Sequence, residues 1–247
     1  MSRIVYGVRP VGELVRSRRE VAALYLAEGE RSREALAVAE AARASGVPVA
    51  PRPRAELDAL TDGKAHQGIV AVAGDYHALE VEELLSRVTA KLATPLLLVL
   101  DSVQDPQNLG ALIRSAHVLG ADGVIVPRDR AAQVTAAVVK ASAGATEHTA
   151  IASCTNVART LEQLKEAGVW TVGAVAEGGD AVEPRRVDFT QASAIVLGAE
   201  GRGLRPLVAR TCDLRVSIPM AGRVASLNVA AAGAILLYEA ARQRRGK

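Results

Sequence analysis

The first third of the chain alternates short apolar runs with helix-like patterns. Residues 21–29 ("VAALYLAEG") and 68–74 ("GIVAVAG") predict strands, as does the short run "GVPVA" between them. Residues 32–46 predict a helix that begins at the capping residue Ser32 and stops at Gly46. The stretch "RAELDALT" predicts a further short helix. These elements predict a small α/β domain over residues 1–75.

A charged amphipathic segment follows this first domain. The stretch "LEVEELLSRVTAKLATP" has helical periodicity and is closed by Pro95. We predict that it forms a linker helix over residues 76–94.

The remaining residues, 95–247, repeat strand and helix several times. The predicted strands are "PLLLVLDSV", "GVIVP", "TAIAS", "VWTVGAVA", "ASAIVLGAE" and "LRVSIPM". Continuous apolar strands separated by helices indicate a parallel sheet that is covered on both faces. Ligands of such sheets bind beyond the carboxyl ends of the strands. The loops that follow these strands are therefore the places to look for chemistry.

Composition and charge restrict the range of partners. The chain has 247 residues, 49% of them hydrophobic, which is enough for a globular core. Residues 1–90 carry 12 basic and 13 acidic groups, whereas residues 91–247 carry 18 and 14, so the second part is the basic one. Aromatic residues make up only 2%, which argues against nucleic-acid binding by base stacking. A nucleic-acid partner would be contacted through arginine and backbone amides.

Cysteine usage and hydropathy indicate a cytoplasmic protein. Cys154 and Cys212 form no CxxC pair and need no oxidising compartment. No run approaches the roughly 18 apolar residues of a membrane span, and the start lacks the apolar segment of a signal peptide.

The first loop of unusual composition is "DPQNLGALIRSA", residues 105–116. In the helix that follows Pro106, Arg114 points away from the face on which the apolar and small residues fall, namely Leu109, Leu112, Ile113, Ala116 and Gly120. Asn108 and Arg114 are candidate site residues. On spacing alone, the alternative is an ordinary strand-to-helix turn in which Asn108 caps the helix and Arg114 is solvated.

The second loop is "LGAEGRGL", residues 197–204, in which Glu200 lies among Gly198, Gly201 and Gly203. This glycine order differs from that of a dinucleotide-binding fingerprint, and Glu200 would repel a pyrophosphate. A cationic or hydroxyl-bearing ligand suits the carboxylate better. The alternative is a tight turn with a surface carboxylate.

The third loop lies in "SIPMAGRVASLNVAAAGAILLYEAARQRR", residues 217–245, and carries Gly222 and Arg223. We predict that a strand ends at Pro219 and that a helix starts near Ser226, with Asn228 in its first turn. Ser226 as a plain helix cap is the alternative to a functional role.

Together, "DPQNLGALIRSA", "LGAEGRGL" and "IPMAGRVASLNVAAAGAILLYEA" resemble the three signature motifs of the SpoU (TrmH-type) branch of the SPOUT methyltransferases. The start "IVYGVRPVGELV" and the stretch "HQGIVA" are similar to the family's small L30e-like substrate-binding domain. The resemblance implies a knotted SPOUT-type methyltransferase domain after an L30e-like one, a homodimer, and S-adenosylmethionine held in a C-terminal trefoil knot. It also implies RNA as the partner. We expect no metal, because the reaction needs none and the sequence has no HxxxH motif or Cys/His cluster to bind one.

The resemblance also assigns roles to residues. Arg114, Asn108, Glu200, Ser226 and Asn228 match the family's catalytic positions. Backbone contacts to the cofactor are implied for the positions of Gly198, Ile218 and Leu227. The expected reaction is methylation of a ribose 2′-hydroxyl. Family proposals make the arginine at the position of Arg114 the base, which is one alternative. Because a guanidinium is protonated at any working pH, we favour the other, in which Arg114 fixes the target phosphate and ribose.

Full-length likeness favours a guanosine of 23S ribosomal RNA as the target, in the free RNA or in a ribosomal assembly intermediate. Alternatives are a transfer RNA, another ribosomal nucleotide, or a non-catalytic RNA-binding protein. A nucleotide-dependent oxidoreductase is disfavoured by the missing fingerprint after the first strand, and a hydrolase by the missing GxSxG motif.

Overall fold

A computed structural model describes residues 2–17, 19–129, 131–176, 179–222 and 226–245. The strands and helices, in chain order, are β1 (Ser2–Tyr6), α1 (Val8–Arg16), β2 (Val21–Ala27), α2 (Arg33–Ala44), β3 (Val49–Arg52), α3 (Arg54–Leu60), β4 (Ile69–Gly74), β5 (Leu79–Glu80), α4 (Val81–Thr89), β6 (Leu96–Leu100), α5 (Pro106–Val118), β7 (Gly123–Pro127), α6 (Ala136–Ala141), β8 (Ile151–Cys154), α7 (Val157–Glu166), β9 (Trp170–Ala174), β10 (Ser193–Leu197), α8 (Pro206–Thr211), β11 (Leu214–Val216) and α9 (Val229–Arg245). The α/β class predicted from the sequence is confirmed. Within the described ranges, no helix is long and apolar enough to cross a membrane.

Contacts divide the chain into two units. Unit 1 comprises Met1–His77 and Val134–His148, and unit 2 comprises Ala78–Gln133 and Thr149–Lys247. Val134–His148 makes its contacts in unit 1, although it lies within the segment 95–247 that the sequence predicts as the second domain.

Unit 1 is built on a mixed sheet with the order β1-β4-β2-β3. β4 pairs antiparallel with both β1 and β2, whereas β2 and β3 are parallel. The predicted helix at 32–46 is confirmed as α2: the Ser32 hydroxyl accepts a hydrogen bond from the Ala35 backbone N–H at 3.2 Å. The core that holds these elements together also includes Val139 of α6.

A buried carboxylate fixes the Val134–His148 segment in unit 1. The side chain of Glu147 has no exposed surface and accepts hydrogen bonds from both terminal nitrogens of Arg3, at 2.8 and 2.7 Å. Arg19 Nε lies 3.5 Å from the same carboxylate. The two guanidinium groups lie over the ring of Tyr76, at 5.5 and 4.9 Å from its centre. A buried charge of this kind is tolerated only because every partner is present.

We therefore expect Glu147→Gln to lower the free energy of unfolding by about 3 kcal/mol, because it leaves a part-buried guanidinium without its counter-charge. Urea unfolding of the full chain measures the loss. The matched control is Glu40→Gln, since Glu40 pairs with Arg43 on the surface and such pairs contribute about 1 kcal/mol or less. Equal losses in the two variants would show that Glu147 is not a structural anchor.

Unit 2 is built on a seven-stranded sheet with the order β11-β9-β10-β6-β7-β8-β5. All of its pairings are parallel, and β6, β7 and β10 are buried along their whole lengths. This confirms the interpretation of the continuous apolar runs as strands covered on both faces.

The predicted linker helix corresponds to α4, which is shorter than predicted. It is part of the unit 2 core, because Val81, Leu84 and Val88 are buried there.

The order in which the chain adds strands to the sheet reverses between β6 and β10, although the two strands are parallel. From β6 the chain continues to β7 and β8 on one side, and then returns to β9, β10 and β11 on the other. The register pairs Leu100 with Leu197, so these two strands end at the same level. Such reversal points are where parallel sheets bind ligands.

Candidate active site

The start of α5 is organised by Asp105. Its two carboxylate oxygens accept hydrogen bonds from the backbone N–H groups of Gln107 and Asn108, at 3.1 and 3.3 Å. The alternative in which Asn108 caps the helix is therefore wrong, and the side chain of Asn108 is available for other contacts. The predicted apolar face of α5 is confirmed, since its residues are buried: Leu109, Leu112, Ile113 and Ala116. Gly120, which was expected on the same face, lies beyond the end of the helix and is exposed.

The loop after β10 is closed by its own backbone. Ala199 and Gly203 exchange two N–H to carbonyl hydrogen bonds, at 3.1 and 2.8 Å, which leaves Glu200 within a tight turn. The turn passes so close to Gly198 that a Cβ atom there would lie 2.0 Å from the carbonyl carbon of Gly203. Glycine at position 198 is therefore required by space.

The third loop ends at Asn228. The Asn228 side-chain oxygen accepts hydrogen bonds from the backbone N–H groups of Ala230 and Ala231, at 2.9 and 3.4 Å, and α9 begins at Val229. The predicted helix start near Ser226, with Asn228 inside the first turn, is therefore wrong: Asn228 is the cap. The strand before this loop ends at Val216 rather than at Pro219. Arg223 lies outside the described residues.

Close packing holds α9 against α5 and the end of β10. Gly233 of α9 packs so tightly that a Cβ atom there would lie 2.4 Å from Leu112 Cδ2 and 2.7 Å from Leu197 Cδ1. A larger side chain would push the start of α9 away from α5 and β10. Glycine at this position therefore helps to set where Asn228 lies.

The three loops meet in a closed hydrogen-bond network. Asn108 Nδ2 donates to Glu200 Oε2 at 3.0 Å, and Asn228 Nδ2 donates to Asn108 Oδ1 at 2.9 Å and to Glu200 Oε1 at 3.2 Å. Each side chain thus contacts the other two, although 92 positions separate Asn108 from Glu200. Asn108 is 8% exposed, whereas Glu200 and Asn228 are open to solvent. The network can hold hydroxyl groups or a cation at an accessible surface, which suits a large substrate.

A cavity of about 320 Å³ adjoins this network and is lined by the second and third loops together with residues 174–176 at the end of β9. Glu200 and Ser226 contribute to its wall, together with Gly198, Ile218 and Leu227. Among the described residues that line it, Glu200 contributes a carboxylate and Arg202 a guanidinium, beside apolar side chains such as Met220. The volume is within the range of small-molecule sites. This lining fits S-adenosylmethionine, because the carboxylate suits the positive sulfonium and the apolar wall suits the adenosine.

Arg114 is not part of the network. It lies on the exposed side of α5, as predicted, and does not line the cavity. Within the described ranges its guanidinium has no hydrogen-bond or ion-pair partner. Arg114 is therefore available to a phosphate or a second molecule.

Sequence reasoning overlooked Asp101, the residue directly after β6. Asp101 has no exposed surface and pairs with Arg205 beyond the glycine loop. The sequence contained this signal, since a carboxylate that ends a fully apolar strand must find a partner when buried.

Among the described residues, no group of three or more His, Cys, Asp or Glu side chains is arranged to hold a metal ion.

Two family models match the chain. Residues 95–238 match the SpoU rRNA methylase family, and residues 4–79 match the RNA 2′-O ribose methyltransferase substrate-binding family. These matches cover the segments that carry the network and the first sheet.

The chain is also similar to curated proteins and solved structures. It is 42% identical over 247 residues to the 23S rRNA (guanosine-2′-O-)-methyltransferase RlmB of Coxiella burnetii, covering 99% of this chain and 98% of the relative. It is 40% identical over 240 residues to YacO of Bacillus subtilis, named for the TrmH family of tRNA/rRNA methyltransferases, covering 97% and 95%. The structure of the SpoU methyltransferase AviRb from Streptomyces viridochromogenes with AdoMet matches with a TM-score of 0.83 at 28% identity, covering 99% and 91%.

Proposed function

The chain belongs to the SpoU rRNA methylase family and is an S-adenosylmethionine-dependent RNA ribose 2′-O-methyltransferase, and we propose that its target is a guanosine of 23S ribosomal RNA. The observation that carries the assignment of methyl transfer to this site is the Asn108–Glu200–Asn228 network beside the cavity. The guanosine target is supported by full-length similarity to a relative named for that reaction.

The network suits alignment of a sugar hydroxyl. A ribose 2′-hydroxyl is a poor nucleophile while protonated, so most of the rate must come from positioning and from help in removing the proton. When bound, S-adenosylmethionine supplies an electrophilic methyl group on a positive sulfur. We assign Asn108, Glu200, Ser226 and Asn228 to holding the ribose in line with that methyl group. The backbone at Gly198, Ile218 and Leu227 is assigned to holding the donor.

Arg114 is assigned to the RNA phosphate and ribose beside the reacting hydroxyl. Its guanidinium is exposed and presents a planar fork that matches a phosphate. Its position outside the network and the cavity lining agrees with a role on the substrate rather than on the donor.

We further propose that the protein acts as a homodimer in the cytoplasm, with the donor held in a C-terminal trefoil knot. α5 and α9 pack on each other and expose Val118 (66%), Ile235 (41%) and Tyr238 (60%). Apolar side chains on two adjoining helices suit burial against a second copy. The match of residues 4–79 to a substrate-binding family supports RNA contact by that segment.

A transfer RNA is the second candidate substrate, because the Bacillus subtilis relative is named for both RNA classes. Transfer of a radiolabelled methyl group to 23S ribosomal RNA or to transfer RNA, with the product nucleotide mapped, separates the two. We expect label at the 2′-oxygen of one guanosine in 23S RNA. Label in transfer RNA alone, or on a base, would overturn the proposed target.

Replacing Asn228 should lower turnover well beyond the effect of losing a helix cap. We expect Asn228→Ala to reduce kcat about tenfold, because both contacts to Asn108 and Glu200 disappear together with the cap. The matched control is Asn156→Ala, since Asn156 caps α7 outside the network by accepting from the Arg159 N–H at 3.2 Å. Both variants should lose about 1 kcal/mol of stability. A similar kcat in the two would remove the network from the mechanism.

A further inference from the structure

We propose that Asp101 is a positioning residue: through Arg205 it fixes the glycine loop that presents Glu200 to the reaction. The inference rests on the proposed function for the role of Glu200. It concerns residues 198–205, which run from the end of β10 to the start of α8.

Asp101 ties together both ends of this loop. Its backbone N–H donates to the carbonyl of Leu197, the last residue of β10, at 2.7 Å. Its side chain reaches the other end, where Oδ2 accepts from the Arg205 backbone N–H at 2.9 Å and Oδ1 accepts from Arg205 Nε at 2.7 Å. One residue at the end of β6 therefore holds the position where the loop leaves the sheet and the position where it returns.

The chemistry of this contact requires a carboxylate. Asp101 has no exposed surface, and burial of an unpaired charge costs several kcal/mol. Each of its oxygens accepts from a different donor on Arg205, while Ser102 Oγ adds a contact to Oδ1 at 3.3 Å. An asparagine has one acceptor oxygen and would turn its amide hydrogens toward one of the Arg205 donors.

The position of Arg205 is transmitted to Glu200 because the loop between them is short and closed. Ala199 and Gly203 are joined by two backbone hydrogen bonds, and the space beside Gly198 is filled by the carbonyl of Gly203. The turn therefore moves as one piece when its anchor at Arg205 moves. The contacts of Glu200 with Asn108 and Asn228, at 3.0 and 3.2 Å, are lost after a shift of about 1 Å.

Two other roles would give different results. Asp101 would be merely structural if its loss lowered the melting temperature but left the chemistry of the folded protein intact. Arg205 would be an RNA contact if its loss weakened RNA binding, since its side chain is 51% exposed.

The test compares Asp101→Asn with Asp122→Asn. Asp122 is the matched control because its carboxylate accepts from the Leu96 N–H at 2.7 Å, at the opposite end of the same strand. We expect Asp101→Asn to lower kcat about tenfold at saturating RNA and donor, with the KM for RNA within about twofold of wild type. Arg205→Lys should retain more turnover than Arg205→Ala. Asp122→Asn should keep the wild-type kcat.

Hydrogen–deuterium exchange provides a readout that does not depend on the substrate. The amides of Ala199 and Gly203 should exchange about tenfold faster in Asp101→Asn and unchanged in Asp122→Asn. Unchanged exchange, a wild-type kcat, or a raised KM for RNA with normal kcat would each overturn the role of Asp101. If wild-type protein leaves 23S RNA unmethylated, the proposed target fails, while the exchange measurement still decides the inference.

Discussion

Replacing Gly198 with alanine will weaken S-adenosylmethionine binding about 100-fold, equivalent to about 3 kcal/mol. The added Cβ atom would lie 2.0 Å from the carbonyl carbon and 2.2 Å from the carbonyl oxygen of Gly203, so the turn must move away. The turn forms part of the cavity wall and carries Glu200, so its displacement disturbs both the donor pocket and the network. Isothermal titration calorimetry with the donor measures the loss.

The control for this variant is Gly168→Ala. Gly168 has a φ of +77°, yet nothing lies within 4 Å of an added Cβ atom. Its replacement strains the backbone and should cost about 1 kcal/mol of stability without changing donor affinity. Donor affinity within a few-fold of wild type for Gly198→Ala would show that the cavity beside Glu200 is not the donor site.

Arg114→Ala should reduce methyl transfer about 1,000-fold while leaving donor binding nearly unchanged. The guanidinium lies outside the cavity lining, so its removal leaves the donor pocket intact. The rate of methyl transfer falls because the target phosphate and ribose are no longer fixed beside the methyl group. Single-turnover methylation of RNA, together with donor calorimetry on the same preparation, separates the two effects.

Two further variants define what Arg114 contributes. Arg114→Lys keeps the charge but loses the planar fork, so its activity should lie between wild type and Arg114→Ala. Arg159→Ala removes another exposed helical arginine of unit 2 and should leave turnover unchanged. Near-normal turnover in Arg114→Ala would remove this residue from the mechanism.

Much of the fold follows from local patterns. The apolar runs that form β6, β7 and β10 are continuous and bounded by turn residues, so their strands could be predicted. The two-residue strand β5 could not, because it exists only through its pairing with β8. The packing of Val134–His148 in unit 1 could not be predicted from the sequence either, because it depends on a contact between Glu147 and Arg3, which are 144 positions apart.

The site was predictable as a set of loops but not as a set of contacts. The resemblance to the SpoU family, rather than spacing, singled out Asn108, Glu200 and Asn228, and the structure brings these three side chains together. The capping residue of each helix could not be predicted, because several polar residues precede both α5 and α9 and only the geometry shows that Asp105 and Asn228 are the caps. The same limit applies to Asp101, whose partner lies 104 positions away.

We propose that three distant loops place a methyl donor beside an exposed polar network at the ends of β6 and β10. A crystal structure of the protein with S-adenosylmethionine tests it most directly. We expect the adenosine against the wall formed by Gly198, Ile218 and Leu227, with the sulfonium methyl group directed toward Asn108, Glu200 and Asn228. A donor bound at another surface, with these three side chains turned away from its sulfur, would contradict the account.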